Sequence, residues 1–232
     1  MTASTLSPEA RSQLLNTGFV VIPGPVPDDR LAELSAAYDA AVRAADPSDV
    51  HAGSTTTRVS DLVNRGPAFD DLYLHPPALD AAALVIGGPF KLSTVHARTV
   101  RPGADAQNLH VDFARDHAGW PMLGFILMVD DFRADNGATR FVAGSHHWME
   151  SPVVAGETAP ACQLACGPAG SMILFNGSIW HGHGAHGAAE PRRSIQGAYI
   201  RRDAVSGANL PARMTAETLA RISPLAKHLL AL

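Results

Sequence analysis

Apolar residues in the first part of the chain recur at helical spacing. Ser7-Pro8-Glu9 is typical of a helix N-terminus, and Thr17-Gly18 predicts the end of that helix. The β-branched segment Phe19–Ile22 predicts a short strand. A second helix is expected over about 28–45, where one face is apolar, through Leu31, Leu34, Tyr38, Ala41 and Val42. The polar stretch Asp46–Gly66 is interpreted as a loop or a poorly ordered segment, and about 77–86 as a third helix.

From Phe90 the pattern changes to short apolar segments separated by Gly, Pro, Asn and Asp. Such closely spaced strands with turn signals are typical of a β-sandwich or barrel. The predicted strands are 91–100, 109–113, 124–129, 139–142, 171–175 and 194–201. A C-terminal helix is expected over about 215–230, broken at Pro224. The prediction is therefore one domain over 1–232, with a helical part to about residue 89 and a β core over about 90–202.

Composition narrows the possible partners. The 232 residues are 46% hydrophobic and carry a net charge of −4, without a long basic run, so a nucleic-acid partner is not expected. The longest apolar runs are too short to span a membrane. Met1–Arg11 is polar and lacks the apolar core of a signal peptide. We expect a cytoplasmic protein that acts on a small-molecule substrate; its oligomeric state is not predicted.

His110-Val111-Asp112 is the first candidate for chemistry. On a strand, residues two apart point to the same face, so the imidazole and the carboxylate could reach one ion. Together with a distant second histidine they would form the two-histidine, one-carboxylate set that binds non-haem iron(II). That set leaves three iron positions open, two for a chelating keto acid and one for dioxygen.

His181 is the candidate for that second histidine, since it follows the strand-like run Gly170–Phe175 and a short turn. A structural histidine at the rim of a barrel would fit its position equally well. Strand alternation would place His183 on the same side as His181, so His183 is a possible rival ligand.

Arg192 and Ser194 lie at the start of a predicted strand and share one face. A dicarboxylate co-substrate needs a fixed cation at its far end, and a guanidinium binds a carboxylate through two parallel hydrogen bonds. Ser194 would bind the same group. Alternatively, Arg192 and Arg193 merely begin a strand on a solvated surface.

These residues, taken in order, resemble the phytanoyl-CoA dioxygenase family, including its ectoine hydroxylase-like branch. The resemblance extends from about Leu6 to Ile200. It rests on motifs spread along the chain, which are Gly18–Gly24, Leu109–Phe113, Asp130–Phe132, Asn136–Thr139, Gly144–His146, Phe175, Trp180–Gly182 and Arg192. It implies a double-stranded β-helix, or jelly roll, with helices packed on its outside.

The resemblance also implies a cofactor set of iron(II), 2-oxoglutarate and dioxygen. His110, Asp112 and His181 would bind the iron, and Arg192 would hold the distal carboxylate of 2-oxoglutarate. Two positions depart from the family's pattern: His183 stands where the family often has Ser, and His186 where it often has Asn. His183 is then a possible co-substrate contact.

The implied reaction is hydroxylation of a C–H bond with release of succinate and carbon dioxide. Related halogenases have a small residue in place of the carboxylate, so Asp112 favours hydroxylation. Desaturation, epoxidation and ring formation need the same iron centre. Two other functions remain open, a cupin-like metal-dependent isomerase or lyase and a catalytically silent ligand-binding relative.

Substrate contacts are expected first from the segment after Asp112, where Arg115 suits an anionic group and Phe113 or Trp120 an apolar ring. An ordinary surface loop is the alternative. On the strand before the motif, Thr94, His96 and Arg98 share one face, which lines the pocket if it points inward. The sequence has no obvious basic cluster for the phosphates of a coenzyme A thioester, so a small metabolite or natural-product intermediate is the expected substrate.

Overall fold

The computed structural model describes residues 5–148 and 161–232. Its strands are β1 (Phe19–Pro23), β2 (Val50–Ala52), β3 (Thr56–Val59), β4 (Phe90–Val100), β5 (Met122–Met128), β6 (Thr139–Phe141), β7 (Gln163–Ala165), β8 (Ser171–Asn176), β9 (His181–His183) and β10 (Arg192–Arg201). Its α-helices are α1 (Pro8–Thr17), α2 (Leu31–Arg43), α3 (Pro76–Ile86), α4 (Leu210–Arg213), α5 (Ala216–Arg221) and α6 (Pro224–Leu229). Single 3-10 turns cover Asp28–Arg30, Pro47–Asp49, Leu62–Asn64, Pro67–Phe69, Leu72–Leu74 and Ser145–His147.

The capping residues define α1 as the sequence predicts. The Ser7 hydroxyl accepts a hydrogen bond from the Ala10 backbone N–H, and Pro8 occupies the first turn. Gly18 ends the helix in the left-handed region, with φ 87°, and its N–H donates to the Leu14 carbonyl. At the other end of the chain, Ser223 and Pro224 separate α5 from α6, so the predicted break at Pro224 is confirmed.

Two antiparallel sheets form the centre of the protein. The larger sheet has the strand order β1-β8-β5-β10-β4-β3-β2, and the smaller has the order β7-β6-β9. The outer face of the larger sheet packs against the helices, where Leu14, Leu34 and Tyr38 belong to the same apolar cluster as Phe125 and Tyr199. A second cluster lies between the sheets and includes Ile126, Ile173 and Phe141. The helices therefore cover one sheet of a jelly roll, which confirms the predicted fold class.

Two local predictions are wrong. The segment 46–66 is not an open loop, because β2 and β3 pair with each other and β3 extends the larger sheet by pairing with β4. Its short, polar strands lack the apolar alternation that identifies a strand in a sequence. Residues 109–113 do not form a strand either: His110 makes one isolated bridge, to His181, and the N–H groups of Asp112 and Phe113 both donate to the Gly177 carbonyl at 3.0 Å.

Candidate metal and co-substrate site

The backbone of the smaller sheet brings the two motif histidines together. His181 begins β9, which pairs with β6, and its N–H donates to the His110 carbonyl at 2.9 Å. The N–H of His110 donates to the His181 carbonyl at 3.0 Å. The two side chains therefore start from directly opposed backbone positions, and their ring centroids lie 4.5 Å apart. A backbone hydrogen bond from Asp112 to the Gly177 carbonyl places Asp112 beside them.

The side chains converge on one point. His110 Nε2 lies 3.4 Å from one carboxylate oxygen of Asp112, and His181 Nε2 lies 3.6 Å from the other. One ligand atom from each of the three residues lies within 4.8 Å of the others, and this is the one such group of His, Cys, Asp or Glu in residues 5–148 and 161–232. The predicted triad is therefore assembled in space, although its first two residues are not on a strand.

Hydrogen bonds to backbone carbonyls orient both rings. His110 Nδ1 lies 3.2 Å from the Asn108 carbonyl, and His181 Nδ1 lies 3.0 Å from the Ile179 carbonyl. A carbonyl only accepts, so each Nδ1 carries the proton and donates it, which leaves the Nε2 lone pair directed at the triad centre. Neutral imidazoles with free Nε2 atoms are what a metal site requires.

The protonation states favour a metal as well. Burial lowers the pKa of His181 below its ordinary value, which keeps the ring neutral. Burial alone would raise the pKa of Asp112, but the adjacent imidazoles of His110 and His181 and the nearby charge of Arg98 lower it. Asp112 is therefore a carboxylate at neutral pH. This donor set of two imidazole nitrogens and one carboxylate suits iron(II).

His183 has partners for both ring nitrogens. Its Nδ1 donates to the Gly184 carbonyl at 2.9 Å, and its Nε2 lies 3.1 Å from the Thr55 hydroxyl. The ring lies outside the triad group but lines the same cavity. The structure thus places His183 in the wall of the triad cavity and outside the His110, Asp112 and His181 group.

The triad opens into a cavity of about 360 Å³, and Arg192 lines the same cavity. Arg192 is the first residue of β10 and is 1% exposed, with its guanidinium carbon 3.9 Å from the centroid of the Phe132 ring. Its Nε and Nη1 have no hydrogen-bond partner among the residues that the structure describes. Burial lowers its pKa to about 9, which leaves the group charged at neutral pH. A buried guanidinium with two unused donors fits an incoming carboxylate.

The other predicted contacts divide into two groups. Phe113, His96 and Arg98 line the triad cavity, whereas Ser194 lies fully buried next to it and donates its hydroxyl to the Arg98 carbonyl at 3.2 Å. Arg115 and Trp120 point elsewhere. The Trp120 indole N–H donates to the His146 carbonyl at 3.0 Å, and the Arg115 guanidinium carbon lies 5.4 Å from the centre of the Trp120 ring.

Sequence reasoning missed several polar residues of the cavity wall, among them Arg58, Gln107 and Gln196. Gln196 follows from alternation along β10, where Arg192, Ala198 and Ile200 also face the cavity. Arg58 lies on β3, which the sequence does not reveal as a strand. Gln107 is three residues before His110, in a segment without regular structure.

A two-sheeted jelly roll with a two-histidine, one-carboxylate group between its strands is the architecture of the iron(II)- and 2-oxoglutarate-dependent oxygenases, and this chain has that class of fold. The phytanoyl-CoA dioxygenase (PhyH) family matches residues 15–194, and the chain belongs to this family. The family prediction made from the motifs is confirmed, and with it the cofactor set of iron, 2-oxoglutarate and dioxygen.

Among curated proteins, the dioxygenase cdmA of Talaromyces verruculosus is 40% identical over 95 residues, which cover 38% of this chain and 32% of cdmA. The chain therefore matches about a third of that relative's length.

Solved structures that share the fold include SnoN and HygX. The epimerase SnoN, in complex with Fe3+, α-ketoglutarate and nogalamycin RO, has a TM-score of 0.72 and 20% identity, covering 90% of each chain.

HygX of Streptomyces hygroscopicus, with nickel, 2-oxoglutarate and hygromycin B bound, has a TM-score of 0.73 and 18% identity, covering 92% of this chain and 94% of HygX.

Among the described residues of the present protein, none of the helices has both the length and the apolar character needed to cross a bilayer.

Proposed function

We propose that this protein is an iron(II)- and 2-oxoglutarate-dependent dioxygenase that hydroxylates an unactivated C–H bond of a small metabolite or natural-product intermediate. The products would be the hydroxylated substrate, succinate and carbon dioxide. The observation that carries the proposal is the shared cavity: the His110, Asp112 and His181 donors and the unpartnered guanidinium of Arg192 face the same space.

Each of these residues has a defined task. His110, Asp112 and His181 would hold the iron, with both rings fixed by their Nδ1 hydrogen bonds. Arg192 would bind the distal carboxylate of 2-oxoglutarate and so fix the position of its keto-acid end. Phe132 stacks on the guanidinium and limits its movement. When bound, the iron supplies the oxidising power, using dioxygen and the oxidative decarboxylation of 2-oxoglutarate.

Hydrogen bonds hold in place the polar side chains that would surround the co-substrate. Gln107 N–H donates to the His183 carbonyl at 3.0 Å, and its side-chain oxygen accepts from Arg98 at 2.8 Å. His183 is held by Thr55 and Gly184. We propose that His183 and Ser194 support the co-substrate region, His183 at its surface and Ser194 through the Arg98 backbone.

Hydroxylation is favoured by Asp112, because a carboxylate in the triad fills the iron position that a halide ion would need. The similarity to SnoN, an epimerase, adds inversion of a C–H stereocentre as a second outcome for the same centre. This outcome would require an external reductant, because epimerisation does not consume the two oxidising equivalents that the oxidative decarboxylation of 2-oxoglutarate supplies. Substrates of the size of a natural-product intermediate are supported by HygX and SnoN, whose structures contain hygromycin B and nogalamycin RO.

The first test is an anaerobic titration of the metal-free protein with iron(II) and then 2-oxoglutarate, following the visible charge-transfer band of the chelate. We expect the band in the wild type, its loss in His181→Ala and its weakening in Arg192→Ala. Arg193→Ala is the matched control, because Arg193 is next to Arg192 but pairs with Asp130 and Asp39. A folded wild-type protein that binds iron and gives no band would contradict the proposal.

Substrate-dependent succinate release then identifies a substrate, and mass spectrometry of the product distinguishes the outcomes. Hydroxylation adds one oxygen atom from dioxygen, whereas epimerisation leaves the mass of the substrate unchanged in ordinary water.

A further inference from the structure

The wall of the triad cavity changes from polar to apolar along β10. The residues of this strand that line the cavity are, in order, Arg192, Gln196, Ala198 and Ile200. Ile200 is eight residues from Arg192, which corresponds to about 26 Å of strand at about 3.3 Å per residue. The two ends are therefore separate parts of the cavity, and the polar end, at Arg192, is the one proposed above for 2-oxoglutarate.

The other arginines of the cavity wall lie in the same half as Arg192. Arg98 on β4 is opposite Ser194, and Arg58 on β3 is opposite Arg98, so both are six residues of strand away from the level of Ile200. All three arginines are therefore on the co-substrate side of the cavity.

The opposite end is an apolar cluster separate from the two main cores, and four of its side chains line the cavity. These are Phe113, Met122, Ala198 and Ile200. Beyond Ile200, Arg201 forms an ion pair with Asp116 at 2.6 Å, so these two charges compensate each other. Within the described part of the chain, this end therefore offers a ligand apolar contacts and no uncompensated charge other than that of the metal ligand Asp112.

Backbone hydrogen bonds place the apolar cluster beside the triad. The Gly177 N–H donates to the Met122 carbonyl at 2.9 Å, and the Gly177 carbonyl accepts from the N–H groups of Asp112 and Phe113 at 3.0 Å. The cluster is therefore next to the carboxylate ligand of the metal. A molecule bound against it would present its C–H bonds to the iron from the side away from Arg192.

The segment that follows β10 forms the outer wall at this end. The Gly207 N–H donates to the Ser93 hydroxyl at 2.8 Å, which attaches the segment to β4. Val205 in this segment lines the cavity, yet it is 90% exposed. An exposed apolar side chain that continues an apolar cavity wall is typical of a surface that a ligand covers.

Ala198 has the smallest side chain on the cavity face of β10. Its cross-strand neighbours are Thr94 on β4 and Gly124 on β5. The Phe175 ring occupies the space above Gly124, since a Cβ atom there would overlap the Phe175 Cζ atom. A larger side chain at position 198 would therefore extend into the cavity, and Ala198 keeps this space open.

We propose that the substrate has an uncharged, apolar skeleton that binds against Met122, Ile200 and Val205, and that Ala198 determines how wide this skeleton can be. This inference rests on the proposed function, since it concerns the substrate of the same iron site. The apolar contacts would hold the C–H bonds of the skeleton beside the triad. A charged group in the same place would lose its hydration without gaining a counter-charge.

The test uses two fluorescent probes with the same anilinonaphthalene skeleton, the neutral N-phenyl-1-naphthylamine and the anionic 8-anilino-1-naphthalenesulfonate. Each is titrated anaerobically into protein that carries iron(II) and saturating 2-oxoglutarate, and the neutral probe is also titrated into metal-free protein. In the loaded wild type we expect saturable binding of the neutral probe, about tenfold or more tightly than the anionic one, because the sulfonate finds no counter-charge.

Two variants locate the probe. Ala198→Leu should weaken binding of the neutral probe by about tenfold or more and leave the affinity for 2-oxoglutarate unchanged, because the added side chain fills the apolar end only. Val205→Asp should also weaken binding, since it places a charge on an exposed edge of the wall, where the fold tolerates it. Leu225→Asp is the matched control, because it makes the same change at a 48% exposed residue of α6 outside the cavity wall.

The proposal is overturned if the loaded wild type does not bind the neutral probe, if both probes bind equally well, or if Ala198→Leu binds the neutral probe as tightly as wild type. Displacement of the neutral probe by 2-oxoglutarate would overturn it too, because the probe would then occupy the co-substrate end. If Ala198→Leu does not fold, equal binding by Val205→Asp and Leu225→Asp overturns the proposal. Failure of the proposed function has a different result, the absence of the chelate band in wild type, and the titration of metal-free protein still tests the apolar site in that case.

Discussion

His110 and His181 exchange both of their backbone hydrogen bonds, at 3.0 and 2.9 Å, so the two histidines of the triad are a directly opposed antiparallel pair. The metal donors are therefore positioned by the backbone, with Phe141 and Phe175 packed against the His181 ring. A site built in this way is preorganised, and we expect its donors to keep these positions without the ion.

Metal removal should therefore leave the protein folded. We expect the chelator-treated protein to keep its far-ultraviolet circular dichroism and one cooperative thermal transition. Adding iron(II) anaerobically at about 100 times its Kd should stabilise the fold by about 2.7 kcal/mol, because the ion binds the native state only. His181→Ala should remove this stabilisation. Loss of secondary structure on chelation would show instead that the metal organises the fold.

Arg192 and Arg193 are neighbours on β10, and we expect them to have opposite effects on the free energy of unfolding. Replacing Arg192 by Met removes a buried charge without an ion-pair partner, so we expect the metal-free protein to gain about 1–3 kcal/mol in free energy of unfolding. The same variant should lose most of its affinity for 2-oxoglutarate. Arg193→Met should do the reverse, since it breaks the pairs with Asp130 and Asp39 and leaves 2-oxoglutarate binding intact.

Urea unfolding of the metal-free proteins and anaerobic titration with 2-oxoglutarate measure the two effects separately. Equal destabilisation by both substitutions, with no change in 2-oxoglutarate affinity, would mean that Arg192 has a structural role only.

Much of the scaffold could be predicted because local chemistry determines it. Ser7 and Gly18 define α1 through cap hydrogen bonds between residues close in sequence. Pro224 interrupts the C-terminal helix for a similarly local reason. The motif residues His110, Asp112, His181 and Arg192 were also identifiable, because residue type and order along the chain carry that information.

The details of the pocket depend on long-range contacts and were not predictable in the same way. Arg115 and Trp120 follow Asp112 closely, yet the chain turns away from the cavity after Phe113, and Asp116 in this segment forms an ion pair with Arg201 at 2.6 Å. Arg58 reaches the cavity only because β3 pairs with β4. A polar edge strand is recognisable from its partner strand and not from its own pattern.

Gly18 is expected to be indispensable for stability. Its φ of 87° disfavours any side chain, and a Cβ atom there would lie 2.6 Å from His146 Nδ1 and 2.8 Å from Ile179 Cδ1. Gly18→Ala should therefore lower the free energy of unfolding by about 2–4 kcal/mol, from backbone strain and overpacking together. Gly88→Ala is the matched control, because a Cβ there meets nothing within 4 Å. Similar urea midpoints for the two variants would contradict this prediction.

His146 should make the fold sensitive to acid. It is 1% exposed, its Nε2 donates to the Leu15 carbonyl at 3.0 Å, and its Nδ1 has no hydrogen-bond partner within residues 5–148 and 161–232. Burial, aided by the charges of His147 and Arg115, lowers its pKa to about 4 from an ordinary 6.5. The unfolded chain therefore takes up a proton between pH 6.5 and 4 that the native state does not, so stability is present above this range and lost as the pH falls through it.

Comparison with His146→Gln isolates this contribution, because Gln keeps a donor for Leu15 but does not titrate, and the other histidines are the same in both proteins. Between pH 7.5 and 5, wild type should lose about 2 kcal/mol more than the variant in free energy of unfolding. Urea unfolding at several pH values measures the difference. Parallel curves for the two proteins would mean that His146 is protonated in the native state at pH 5, and that its ring lies in a more polar environment than the packing against Gly18 indicates.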